Sequence, residues 1–446
     1  MRIVLCAHRF LPRFIGGVEI YTLRLGQALQ RLGHEVYILA GEPTPKRDLA
    51  VEVWADEYEG LPVTRLEYDY DCRPVTYRAS YSDPLVTAQI KAALQRLQPD
   101  IVHATSLSLL MAGAIEAAST LNIPLVHTAM DRVLICRRGF HLKHDNTICS
   151  ARQEAALCTA CMGPHNQLET WLNRAWRMTP TRLTEPLLPI AEKVIGKRAD
   201  FAHAAESIQY RFNYLPQWVP KIARIIAPST HTRDMFILNN FPADKIIVSP
   251  YGIEIPEQSF QKIPSPILRF GFIGRITFIK GLHVLLEAFA SLPDQDKVSL
   301  IIYGEPDQKS QSYLQTLQNK VAHLSNVKFA GPIDNARIVE AYRQIDILVF
   351  PSISPENSPL TVLEAQAYGI PVISSDVQGV TDIIRPEVNG LIFANHSAEA
   401  LKIQMARCLA SPELAARLAA NSRFVKSIQA DAADMVRLYQ EVLAMR

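Results

Sequence analysis

Short runs rich in Val and Ile alternate with longer stretches of helical period along nearly the whole chain, and the alternation occurs twice. A strand covered on both faces reads as a continuous apolar run, and such a run followed by an amphipathic stretch is the repeating unit of a parallel sheet. The pattern predicts strands at 2–7, 35–40, 62–67, 100–104, 123–128, 223–228 and 245–249, then restarts at 269–274 and continues at 298–303, 327–330, 345–350, 371–375 and 390–393. Between the two series, YGIEIPEQSFQKIPSPI (251–267) breaks both periodicities with its prolines and polar residues and suits a linker. The expectation is an α/β chain of two doubly wound domains, 1–253 and 254–424.

Length agrees, because 446 residues exceed what one core usually holds. A formal charge of +2 gives no global pull toward nucleic acid or membrane, so nucleic acid is not an expected partner. The apolar run after Arg2 is only five residues long before His8 and Arg9 interrupt it, and no run of 18 apolar residues occurs, which makes the cytoplasm the expected location.

Three segments carry chemistry. Gly16 and Gly17 stand between a strand and a helix, where backbone N–H groups can approach an anion, although a plain tight turn explains a glycine pair equally well. Arg275 and Lys280 follow a strand end in FGFIGRITFIKG, placed to neutralise a departing diphosphate or simply to be solvated. In SPENSPLTVLEAQAYG, Ser358 is a natural helix cap, Pro359 suits the first turn, and the helix is expected over about 359–368. Glu356 in the loop and Glu364 in the helix would then flank the free amides near residues 358–361. A phosphate between two polyols fits that arrangement, and so do an ordinary loop acid and a helix-surface acid.

Gly16-Gly17-Val18-Glu19, Gly274-Arg275 with Lys280-Gly281, and Glu356 with Glu364 in PENSPLTVLEAQAYGIPVI resemble, in order, the signature regions of the retaining glycosyltransferases of family 4. The resemblance covers nearly the whole chain. It implies the GT-B fold, two Rossmann-like domains facing across a cleft with a C-terminal helix (about 425–446) crossing back to the first. It implies a nucleotide diphosphate sugar as donor and a carbohydrate or lipid-linked acceptor. Glu356 is then expected at the donor sugar, Glu364 at the ribose, and Arg275 and Lys280 at the diphosphate with Gly16, Gly17, Asn357, Ser358, Pro359 and Leu360. No cofactor is required for catalysis on this resemblance. His127 in IPLVHTAMD matches a histidine that contacts the transferred sugar, with Asp131 beside it less firmly matched. His103 stands where the family often shows His-x-His, but its partner position holds Thr105. A nucleotide-sugar-binding scaffold that does not catalyse, or an epimerase or phosphorylase on the same fold, are the alternatives.

An insertion over 132–215 holds Cys136, Cys149, Cys158 and Cys161. Their C-x12-C-x8-C-x2-C spacing suits a structural zinc site, with His141, His144 or His165 able to replace a ligand; reduced thiols, a disulfide or another cluster remain open. The segment 132–200 has an excess of Lys and Arg, with Trp171 and Trp176 beside Arg174 and Arg177. Such a flap suits a lipid diphosphate or peripheral contact with the inner membrane, and a solvated insertion equally.

Overall fold

The computed structural model describes residues 1–145, 147–162, 199–255, 260–307, 310–334, 337–422 and 425–445. His165, Trp171, Arg174, Trp176 and Arg177, on which the flap reading rests, lie outside the described residues. The chain divides into two compact units, Met1–Ser249 with Gln429–Arg446, and Pro250–Ile428.

The first unit is built on β1 (Arg2–Ala7), β2 (Glu35–Pro43), β3 (Val51–Tyr58), β4 (Leu61–Tyr68), β5 (Ile101–Ala104), β6 (Leu125–Thr128), β7 (Arg224–Ala227) and β8 (Ile246–Val248), in the order β3-β4-β2-β1-β5-β6-β7-β8. All neighbours are parallel except β3 and β4. The apolar runs of β1 and β5 are buried because helices cover both faces of the sheet centre. β3 was not expected from periodicity, since its residues Glu52 to Glu57 are exposed at the sheet edge and carry three acids. Its signal is the turn instead: Glu59 and Gly60 both take positive φ, the two-residue link of an antiparallel hairpin. The helix Ile428–Ala444 adds to this unit through Tyr21, whose hydroxyl donates to Asp431 Oδ2 at 2.9 Å, and through Tyr439, whose hydroxyl lies 2.5 Å from His103 Nδ1.

The second unit has six parallel strands, β9 (Leu268–Ile273), β10 (Val298–Tyr303), β11 (Val327–Gly331), β12 (Ile347–Phe350), β13 (Val372–Ser375) and β14 (Gly390–Phe393), ordered β11-β10-β9-β12-β13-β14. Helix Leu282–Ala290 shows why the sheet is covered: Leu282, Leu285, Leu286 and Phe289 recur at helical spacing and all are buried. Phe289 meets Phe270 of β9 edge to face, with centroids 6.4 Å apart. Burial of each such side chain stabilises the unit by about 1.5–3 kcal/mol. Among the described residues no helix is long and apolar enough to cross a membrane.

Candidate functional site

In the second unit β9 and β12 are neighbours, yet β9 leads to β10 on one side and β12 to β13 on the other. Chain leaving two adjacent parallel strands in opposite directions opens a crevice at their carboxyl ends, the usual ligand position in open α/β sheets. Lys280 follows β9 and Glu356 follows β12, so the topology alone brings them to one edge.

The two loops are tied together. Ile353 N–H donates to the Ile279 carbonyl at 2.9 Å, Lys280 Nζ lies 2.8 Å from Glu356 Oε1, and Ser352 Oγ lies 2.7 Å from the same carboxylate oxygen. Lys280 also stands 5.6 Å from the centroid of the Phe350 ring. A cation and a carboxylate thus share one partly buried position, with side-chain exposures of 23% and 15%. Arg275 is exposed at the end of β9, in a loop fixed by the Ile276 N–H bond to the Glu305 carbonyl.

Two glycines make the close approach possible. Gly281 has φ 70° against the Pro351 carbonyl, and Gly379 has φ 85° against the Glu356 carbonyl; a Cβ at either would overlap that backbone oxygen. The Glu356 N–H donates to the Gln378 carbonyl at 2.9 Å, so the segment after β13 props the Glu356 loop. Gly379, Gln378 and Ser352 escaped sequence reasoning, because no local pattern links them to a residue more than twenty positions away or to a loop acid.

The helix expected at 359–368 runs Leu360–Ala367, capped at Pro359 and not at Ser358. The expected cap is absent: Ser358 Oγ is buried, with the residue 4% exposed, and makes no hydrogen bond among the described residues. A buried hydroxyl without a partner is costly and points to a ligand. Pro359 has no N–H, and its carbonyl takes those of Val362 and Leu363. The amides of Leu360 and Thr361 stand in the first helical turn, where the positive end of the helix favours an anion. Asn357 lies beside Glu356 in the same loop. Glu364 Oε2 accepts from the Tyr342 hydroxyl at 2.8 Å. Burial pushes its carboxyl up to about 7, the Tyr342 bond opposes this, and the Glu254 charge adds to it.

In the first unit, Gly16 has extended backbone and precedes helix Gly17–Arg31. A Cβ at 16 would lie 2.8 Å from Glu19 Oε2, the movable end of a side chain whose Oε1 lies 3.6 Å from His8 Nε2. His127 is fully buried at the end of β6, and burial lowers its pKa. Its Nδ1 donates to the Ala104 carbonyl at 2.9 Å, which leaves Nε2 as an acceptor with no partner among the described residues. A neutral imidazole of this kind can take a hydrogen bond from a hydroxyl.

His103 is otherwise employed, between Tyr439 and Thr128 Oγ1 at 2.7 Å, and burial pushes it down to about 3. Thr105 bonds Thr22 at 2.6 Å. Asp131 shapes the loops after β5 and β6, accepting from Ser106 Oγ and from the N–H groups of Leu107 (2.9 Å), Ser108 (3.2 Å) and Val133 (3.1 Å).

Cys136, Cys149, Cys158 and Cys161 are free thiols, and all four line one cavity of about 80 Å³ with His141 and His144. As placed, no three His, Cys, Asp or Glu side chains among the described residues converge closely enough to hold an ion.

Two family models match the chain, "Glycosyltransferase Family 4" over residues 15–184 and "Glycosyl transferases group 1" over 256–424. A GDP-mannose-dependent alpha-mannosyltransferase of Mycolicibacterium smegmatis is 24% identical over 400 residues, 88% of this chain and 84% of that protein. A D-inositol 3-phosphate glycosyltransferase of Xylanimonas cellulosilytica is 26% identical over 45% of this chain and 52% of its own length. Matches to several curated relatives span only a third to a half of their length. Anabaena HepE, in a crystal structure with UDP-glucose, superposes with a TM-score of 0.63 over 100% of both chains at 17% identity, a likeness of fold. With a family model on each half and the architecture matched from end to end, the chain belongs to glycosyltransferase family 4 and has the GT-B fold.

Proposed function

We propose that the protein transfers a sugar from a nucleotide diphosphate sugar to a hydroxyl of a carbohydrate or lipid-linked acceptor, with retention at the anomeric carbon and without a divalent metal. The observation that carries the reading is the Lys280–Glu356 pair, 76 positions apart in sequence and 2.8 Å apart in space, beside a helix start with an unpaired buried hydroxyl at Ser358. Such a pair exchanges partners on binding. Lys280 turns to the diphosphate with Arg275 and the amides of Leu360 and Thr361, Glu356 accepts from sugar hydroxyls, and Glu364 accepts from the ribose. The bond between the anomeric carbon and the phosphate oxygen breaks, the acceptor oxygen bonds the same face, and its proton passes to the departing diphosphate. Gly16, Gly17 and His127 are the first unit's proposed contributions. The reading is supported by the family and by the GDP-mannose-dependent alpha-mannosyltransferase and the D-inositol 3-phosphate glycosyltransferase among the relatives.

The test is to incubate the purified enzyme with a panel of donors and acceptors, follow nucleotide diphosphate release, and determine the product anomer by NMR. A retained configuration without added metal is expected; an inverted product, or activity abolished by chelation, would reject those two assignments.

Glu364 predicts a pH dependence of donor binding. A ribose diol donates to the ionised carboxylate, and the free enzyme's Glu364 titrates near pH 7. Below that pH, binding must expel a proton. Donor affinity should therefore fall about tenfold from pH 8 to pH 6, and Glu364→Gln should bind weakly with no such slope. The sugar-linked diphosphate has no ionisation of its own in this window. The sign for stability is opposite: a carboxyl raised in the folded state contributes most at low pH and loses that contribution as pH rises through 7. Calorimetric titration and thermal melts of both proteins at the two pH values check this.

A further inference from the structure

The cavity holding the four cysteines has a composition that the donor site does not explain. Besides the thiols it is lined by Arg137, Arg138 and Arg152, and no Asp or Glu among the described residues lines it. Half-buried Arg137 and Arg138 and exposed Arg152 can balance an anionic group there while staying within reach of water. Cys136 lies within electrostatic reach of both Cys158 and Cys161, and the buried Arg211 within reach of Cys136 and Cys158. The His144 backbone N–H donates to the Cys161 sulfur and so ties the 136–149 turn to the helix. His141, 2% exposed, turns the chain with φ 52° between the first two cysteines, and neither of its ring nitrogens makes a hydrogen bond of normal geometry among the described residues. Cys158 and Cys161 lie one turn apart on helix Ala155–Met162, on one face of it.

We propose that this chamber is a structural zinc site with Cys136, Cys149, Cys158 and Cys161 as its ligands and the surrounding arginines as counter-charge. Each thiol gives its proton to solvent on binding. The resulting tetrathiolate centre carries two net negative charges, and the arginines balance them. Coordination at about 2.3 Å draws the 136–149 turn and the helix together, since the sulfurs as placed do not converge. The ion then staples the insertion that follows β6, and takes no part in sugar transfer.

Metal analysis of the full-length protein, purified without chelator, tests this. About one zinc per chain is expected, released by a thiol-reactive mercurial, and cobalt substitution should give a thiolate charge-transfer band. Cys158→Ser with Cys161→Ser should lose the metal while nucleotide-diphosphate binding by the second unit persists. Because that variant could misfold, the wild type is also stripped and titrated with zinc, which should protect its four cavity thiols from Ellman's reagent. Less than a tenth of an equivalent of zinc after this titration, four freely reactive thiols in its presence, iron in place of zinc, or full zinc content in the double variant would each overturn the proposal.

Discussion

Glu356→Gln should lower turnover about 10²- to 10³-fold, the size of effect expected when one preorganised polar group is lost from a transfer site. The substitution keeps the shape of the side chain and the bond from Ser352, and removes the charge that orders Lys280 and, in the proposed function, accepts from the sugar. Lys280→Ala should cost a similar factor, because in the proposed function the diphosphate then departs without one of its two cations. Since the two groups are direct partners, the double variant should lose little more than either single one; strict multiplication of the two losses would mean they act separately. Stability should change by no more than about 1 kcal/mol, the range for a pair still reached by water. Steady-state rates and denaturant melts on the four proteins separate catalytic loss from unfolding.

Gly379→Ala is the second large effect. At φ 85° an alanine pays about 1–2 kcal/mol in backbone strain alone. Its methyl group would also overlap the carbonyl of Glu356 and press on that of Asn357, so the loop carrying Glu356 must move. A total loss of about 3 kcal/mol is expected, together with donor binding weakened more than tenfold. Gly60→Ala separates the two causes. Gly60 has nearly the same φ, 81°, but nothing lies within 4 Å of its would-be Cβ. It should show only the strain and leave donor binding intact; equal binding by Gly379→Ala would remove the propping role assigned to the segment after β13.

Much of this was legible in residues. Buried parallel strands are apolar throughout, so β9, β12 and their neighbours announce themselves, while an exposed acidic edge strand such as β3 shows only through its turn. Glu356, Glu364 and Lys280 could be read as functional, but their pairing could not, because it depends on two loops meeting at the strand-order reversal. Ser358 misled for a local reason. Its residue type suits a cap, and with Pro359 taking the cap position its hydroxyl is left buried and unpaired. Asp131 and His103 carry residue types suited to chemistry, yet each is consumed by hydrogen bonds within its own unit, which only the folded geometry reveals. The roles of Gly379 and Tyr342 lie in contacts with distant backbone and side chain, and no spacing rule encodes those.

The central claim is that a sugar-linked diphosphate binds where Lys280 and Glu356 now hold each other. Calorimetric titration of UDP-, GDP- and ADP-linked sugars into the wild type and Lys280→Ala at pH 8 tests it most directly. One of these donors should bind the wild type with a Kd below about 1 mM, the usual range for enzyme substrates, and at least tenfold more weakly to Lys280→Ala. Equal affinity in both proteins, or no binding of any of the donors to the folded wild type, would contradict the account.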